Sequence, residues 1–338
     1  MTSPPPQDFV PAALKRCKSP LARLALAGPL ACAMVSPTAL ADEGGVSVWL
    51  PGQFGSLAAA PGEPGWSLPM VAYHASADAG SGKSFAIGGQ ITAGLDVRAN
   101  LMLVVPTYTF AAPVWGGQAQ VSMTTIVGQV KVSAAATLAG PGGAILSQNT
   151  SDSLTAVGDL YPAASLRWND GNHNWLAYTQ VGVPVGNYQA GRLANLGNNH
   201  WSADAGGGYT YLDQKTGREF SVVAGATYNF ENHDTNYRNG VDGHVDWAAS
   251  QLLSEQLHIG VAGYFYNQLS GDSGAGARLG DFKSRVNGIG PQIGYFFKMG
   301  ERQAYINFKG FHEFGAQNRP AGWNAWLTLL IPLGSAPK

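Results

Sequence analysis

Arg218-Glu219-Phe220-Ser221-Val222-Val223-Ala224-Gly225-Ala226-Thr227-Tyr228-Asn229-Phe230 is the stretch whose reading decides the fold. Its even positions are Phe220, Val222, Ala224, Ala226, Tyr228 and Phe230. Its odd positions are Glu219, Ser221, Val223, Gly225, Thr227 and Asn229. A period of two is that of a β-strand with one apolar and one mainly polar face. Aromatic residues close both ends of the apolar face. A soluble sandwich can contain one such strand, but a dozen of them behind an export signal call for a membrane.

The export signal is read near the N-terminus. Lys15, Arg16, Lys18 and Arg23 precede an apolar run from Leu24 to Val35, and Ala39-Leu40-Ala41 then offers a small-residue cleavage site. Cys32 could suggest lipidation, but Pro29 stands where a leucine-like residue is expected, so cleavage after Ala41 is the better reading. Cys17 and Cys32 both fall in this leader, which leaves residues 42–338 without a disulfide. Those residues carry a net charge of −4, which gives no support to nucleic-acid binding. Charged residues make up 12% of the chain, against roughly 25% in soluble domains. Beyond the leader no apolar run is long enough for a membrane helix. Few charges, 45 glycines and no hydrophobic block are what a membrane β-barrel requires, because its apolar residues occupy alternate positions of many strands.

Alternation and turn residues predict strands at 66–79, 84–110, 117–136, 155–169, 173–186, 200–213, 218–231, 242–255, 257–270, 284–298, 302–314 and 322–333. Gly80–Lys83 is expected to be the first turn, and 137–154 and 187–199 are expected to be long linkers. Short and long connections alternate, as in outer-membrane barrels. The fold class is therefore all-β, a transmembrane antiparallel barrel of about 12 strands. If the chain turned at Arg98, residues 46–54 would have to complete a fourteenth. Strand 117–136 changes phase between Met123 and Val130, and a bulge near Gly128 would restore its outward face. Residues 42–65 alternate poorly and contain Pro51, Pro61 and Pro64. Trp49, Leu50, Phe54 and Leu57 are too apolar for a solvated tail, so the segment is expected to fold into the lumen as a plug. The organisation is then leader 1–41, plug 42–65 and barrel 66–338.

The inward faces collect Asp159, Arg167, Asp204, Glu219, Asp242, His244, Asp246, Lys309 and Glu313. A dry core could not hold this set unpaired, so a wet lumen is expected. Trp66, Trp168, Trp175, Trp201, Trp247 and Trp323 fall near strand ends and read as interfacial girdles. Candidates for a solute path are Trp49, Phe54, Tyr161, Asp204, Glu219, His244, Tyr264, Tyr266, Lys309 and Trp326; packing of plug against wall is the equal alternative for the aromatics. Three motifs point to other chemistry. Ala77–Ser84 ends like a phosphate-binding loop, but no helix pattern follows, so a hairpin turn is the better reading. Gly271-Asp272-Ser273-Gly274 echoes a serine-protease nucleophile without a matching histidine motif, and reads as a surface loop. His233, Asp234, His244 and Asp246 lack metal-ligand spacing. No catalytic residue, metal or cofactor is assigned.

Residues 43–68, 158–169 (G-D-L-Y-P-A-A-S-L-R-W-N), 192–197 (R-L-A-N-L-G), 228–232 (Y-N-F-E-N), 283–295 (K-S-R-V-N-G-I-G-P-Q-I-G-Y) and 318–324 (N-R-P-A-G-W-N) resemble the meta-pathway phenol degradation protein family. The resemblance implies an outer-membrane transporter-like barrel, distantly comparable to long-chain fatty-acid channels with an N-terminal hatch. It implies passive uptake of small hydrophobic or aromatic compounds across the outer membrane of a Gram-negative bacterium, and no enzymatic activity. The expected partners are an apolar or aromatic solute, outer-membrane lipid and the barrel assembly machinery. Two other readings stay open here: a barrel-embedded hydrolase, and a structural or adhesive surface protein acting through 137–154 and 187–199.

Overall fold

The computed structural model describes residues 47–87, 90–139, 145–280 and 282–334. The leader and cleavage site read in residues 1–41 lie outside them. Thirteen strands form one antiparallel sheet: β1 (Gly65–Ile87), β2 (Gln90–Val104), β3 (Thr107–Val114), β4 (Gly117–Ala139), β5 (Ile145–Asp170), β6 (His173–Gly182), β7 (Ser202–Asp213), β8 (Arg218–Asn229), β9 (Asp242–Leu252), β10 (Leu257–Gln268), β11 (Arg285–Met299), β12 (Arg302–Gln317) and β13 (Ala321–Pro332). β1 pairs with β13 from Ser67↔Pro332 to Asp78↔Ala321, so the sheet closes on itself as a barrel. β2 and β3 both lie between β1 and β4. They are halves of one stave interrupted at Val105-Pro106, because proline has no N–H for the ladder. The wall thus has twelve staves, the number expected for an undivided 84–110.

The path to that number differs from the expectation at the first reversal. β1 does not turn at Gly80–Lys83; it runs on until Ile87 pairs with Gln90. The register shifts between Ala79 and Ser84, so the glycine-rich segment absorbs an irregularity inside a strand. The stretch resembling a phosphate-binding loop is therefore part of the wall and not a hairpin turn. Similarly, 137–154 is mostly strand, since β4 reaches Ala139 and β5 begins at Ile145. These long hairpins stand above the apolar band, where polar outward residues such as Ser151 and Ser153 erase the apolar alternation that marks a strand.

β8 is as the alternation predicts. Phe220, Ala224, Tyr228 and Phe230 are exposed on the outer face, and Glu219, Ser221, Val223, Thr227 and Asn229 are buried on the inner one. The tilted strand from Phe220 to Phe230 matches the apolar band of ~25 Å typical of such barrels. Trp66, Trp175, Trp201 and Trp323 are half exposed near strand ends. Trp247 departs from the girdle expectation. It sits mid-strand with its ring over Gly263, where a Cβ would come within 2.6 Å of it.

The bulge expected near Gly128 is absent from β4, and the irregularity lies on its neighbour. β4 keeps one phase, with Val121, Met123 and Val127 outward and Ile126, Val130 and Val132 buried inward. The extra residue is on β5, where pairing jumps from Thr125↔Leu160 to Val127↔Val157 across Gly158-Asp159. Val130 and Val132 thus line the lumen.

Candidate functional site

Residues 47–60 lie inside the barrel, buried, and their backbone is held by the charged side chains of the inner wall. The Asp246 carboxylate accepts from the Gly52 N–H (3.0 Å) and the Phe54 N–H (3.1 Å). Lys309 Nζ donates to the carbonyls of Gly52 (2.6 Å), Gln53 (3.1 Å) and Phe54 (3.2 Å). Gly52 has φ +86°, and a Cβ there would meet the Phe311 ring at 2.7 Å, so glycine is required on both grounds. One turn further on, Glu219 accepts from Ser56 Oγ (2.6 Å) and from the Leu57 N–H (2.9 Å). Ala59 N–H donates to Thr210 Oγ1 (3.0 Å), and Arg302 closes the short-turn end by donating to the carbonyls of Pro64 (3.1 Å) and Trp66 (3.2 Å). A segment with three prolines cannot satisfy its own backbone, so the wall must supply the partners. This accounts for Glu219, Asp246 and Lys309 among the inward charges.

Above this segment one side of the interior is apolar. Leu95, Val97, Ala99, Leu101 and Leu103 of β2 point inward beside Val130 and Val132 of β4, and Leu193, Ala194 and Leu196 of the loop 183–201 pack against them. Val48, Trp49 and Leu50 reach up to the same cluster. The lumen is thus divided by side: the wall of β2 and β4 is apolar toward its upper end, whereas Asn229, Asp242, Gln268, Glu313 and Asn324 keep the opposite wall polar. The signal was present in Leu95-Asp96-Val97-Arg98-Ala99-Asn100-Leu101, which alternates strictly. Its charged face points outward because β2 rises beyond the apolar band.

The wall beside this apolar cluster is incomplete in backbone terms. β6 ends at Gly182, so β5 above Leu160 has no strand on that side among the described residues. The loop 183–201 covers the edge. Asn187 N–H donates to the Val157 carbonyl (2.9 Å), and Arg192 makes a bidentate pair with Asp152 (2.7 and 3.0 Å). The bulge residue Asp159 turns inward and accepts from the N–H groups of Gly186 (2.7 Å) and Asn198 (2.8 Å). Residues 194–198 are buried, so this loop is an internal strap and not the free surface linker expected for 187–199.

All ten path candidates are buried, and they fall into separate groups. Trp49 stacks on His244 (4.1 Å between centroids) and Tyr266 (6.1 Å), and His244 Nε2 bonds Asp204 (2.8 Å). Tyr264 and Trp326 join through Asn324, which donates to Tyr264 Oη (2.9 Å) and accepts from Trp326 Nε1 (3.0 Å); Lys309 lies 5.1 Å over the Trp326 ring. Phe54 packs on Tyr178 (5.4 Å) in a lower apolar cluster. Glu219 and Lys309 hold the inner segment. Tyr161 is in the upper cluster, just below the bulge.

The remaining motifs carry wall structure. His233 and Asp234 are exposed in a loop, whereas Asp246 is committed to residues 52–54; among the described residues no three potential metal ligands converge. Asp272 accepts from Tyr237 Oη, Gly240 N–H (3.1 Å) and Gln268 Nε2 (2.6 Å), tying the loop that holds the protease-like motif.

Residues 80–329 match the family described as "Putative MetA-pathway of phenol degradation". An outer membrane channel from Pseudomonas putida F1 is similar in fold, with a TM-score of 0.62 at 15% identity over 80% of this chain and 96% of that one. A FadL homologue from Pseudomonas aeruginosa aligns at a TM-score of 0.40 and 9% identity, over 79% of this chain and 89% of that one. No curated protein matches the sequence.

Proposed function

The chain belongs to this phenol-degradation family, and on that premise we propose that it is an outer-membrane channel for passive uptake of small hydrophobic or aromatic compounds. The observation that carries the reading is the buried apolar cluster of β2, β4 and the loop 183–201 above the polar-anchored inner segment, which would part to form a chamber for an apolar solute. A channel for ions or sugars would line its upper lumen with polar groups. Leu95, Val97, Val130 and Val132 would receive an apolar solute from the long-loop end. Residues 47–64 would keep the lower lumen shut to water. The strap-covered edge of β5 faces the outer leaflet, and an apolar solute can leave there without crossing the plug. Trp49, Tyr264, Tyr266 and Trp326 form the chamber floor.

Placing carboxylates in the chamber tests this directly. V97D/V132D is expected to lower uptake of phenol and toluene by about ten-fold, equivalent to ~1.4 kcal/mol of lost partitioning, while barrel assembly and heat-modifiability persist. Uptake at the wild-type rate, with the double variant folded, would remove the chamber from the path.

A further inference from the structure

The outer wall of β1, β2 and β4 carries a second feature, unrelated to the lumen. Successive outward residues form horizontal rows across these strands, fixed by their register. The lowest row is apolar: Ala72↔Met102 and Met102↔Val127. Above it comes His74↔Asn100↔Gln129, then Ser76↔Arg98↔Lys131. Trp323, a half-exposed aromatic at the upper edge of the band, pairs with Ser76 and so lies in the Arg98/Lys131 row. The two cations are therefore side by side on adjacent strands, at the level where the apolar band meets headgroups.

Like charges directly opposed across a ladder destabilise it unless an anion lies between them. Asp96 approaches Arg98 (3.7 Å), with both side chains more than half exposed, and Asp78 pairs with Asp96 one row further out. Lys131 is exposed and has no ion-pair partner among the described residues. Directly below the cations, a groove of ≈ 470 Å³ runs down the lipid-facing wall. Ala72, Met102, Val127, Phe308 and Leu327 line it beneath His74 and Asn100. The volume is in the range of sites that hold a small ligand. Ala72 and Ala325 keep the groove open where larger residues would fill it.

We propose that this face is a specific site for a phosphorylated glycolipid of the outer leaflet: Arg98 and Lys131 clasp a phosphate, and the groove takes an acyl chain. Two parallel N–H donors from Arg98 and the ammonium of Lys131 suit a phosphate dianion. Their flexible stems let the charges reach down toward the apolar edge. The acidic row lies on the far side of the cations, so it faces water and leaves the phosphate side basic.

The test uses the purified full barrel in detergent, with binding read by native mass spectrometry and thermal shift. Hexa-acyl diphosphoryl lipid A, the same lipid dephosphorylated, and inorganic phosphate are the three probes. Lipid A should bind at least ten-fold more tightly than its dephosphorylated form, and millimolar phosphate should not displace it. R98A/K131A should lose that preference, R98K/K131R should keep it, and Ala72→Phe, which fills the groove, should weaken both lipids. Equal binding of lipid A to R98A/K131A and wild type, or full competition by phosphate alone, would overturn the proposal. Solute uptake is a separate readout, so this result and that of the chamber variant stand apart.

Discussion

Lys309→Met is expected to loosen the inner segment and open the lower lumen to ions. The substitution leaves the carbonyls of Gly52, Gln53 and Phe54 without their donor and removes the cation that holds residues 52–54 together with Asp246. Stripping one partner from a buried charged set costs about 3–5 kcal/mol, because the groups left behind stay desolvated. Two measurements check this. Hydrogen exchange at residues 52–57 should accelerate by orders of magnitude relative to the β8 amides, and single-channel conductance in planar bilayers should rise several-fold. Methionine fills nearly the same volume, so packing against Trp326 is retained and the effect reports the charge. Unchanged exchange and conductance would show that Lys309 does not hold the segment.

The second large effect concerns the outer face. Ala224→Arg puts a guanidinium at the middle of the apolar side of β8, between Phe220 and Tyr228. On the lipid face of a barrel this costs about 2–4 kcal/mol near the midplane. On a solvent-exposed strand the same change stays within roughly 0.5 kcal/mol. Urea titration of folding into lipid vesicles distinguishes the two, with Glu301→Arg in an exposed short turn as the near-neutral control. The inner face of β8 behaves differently. A Cβ at Gly225 would lie 2.2 Å from Tyr178 Oη and 2.7 Å from His244, so substitution there is limited by packing and not by solute selectivity.

Much of the barrel is legible in the sequence wherever strands cross the apolar band. β8, β10 and β13 show one clean period, because lipid on one side and the lumen on the other impose opposite chemistry on alternate residues. Legibility fails where that contrast fails. Above the band both sides of β1, β2, β4 and β5 meet water or protein, so the β4–β5 extension reads as linker and the first turn is misplaced at Gly80. The switch of apolar residues from odd to even positions near Gly128 marks a change of which face of β4 is apolar, not a change of strand phase, and the extra residue sits on β5. At the site, the inward charges are correctly located but their partners are not. Glu219, Asp246 and Lys309 look like a wet lumen until the proline-rich segment that consumes them is in place. The apolar cluster is masked in the sequence because the outward charges Asp96 and Arg98 interrupt Leu95, Val97 and Ala99.

Uptake by cells with and without the protein tests the central claim most directly, using a panel of phenol, toluene, a short-chain fatty acid and a disaccharide. The apolar and aromatic members should enter several-fold faster with the protein present, and the disaccharide should show no difference. Accelerated entry of the disaccharide, or equal entry of every compound in both strains, would contradict a plug-closed barrel with an apolar path.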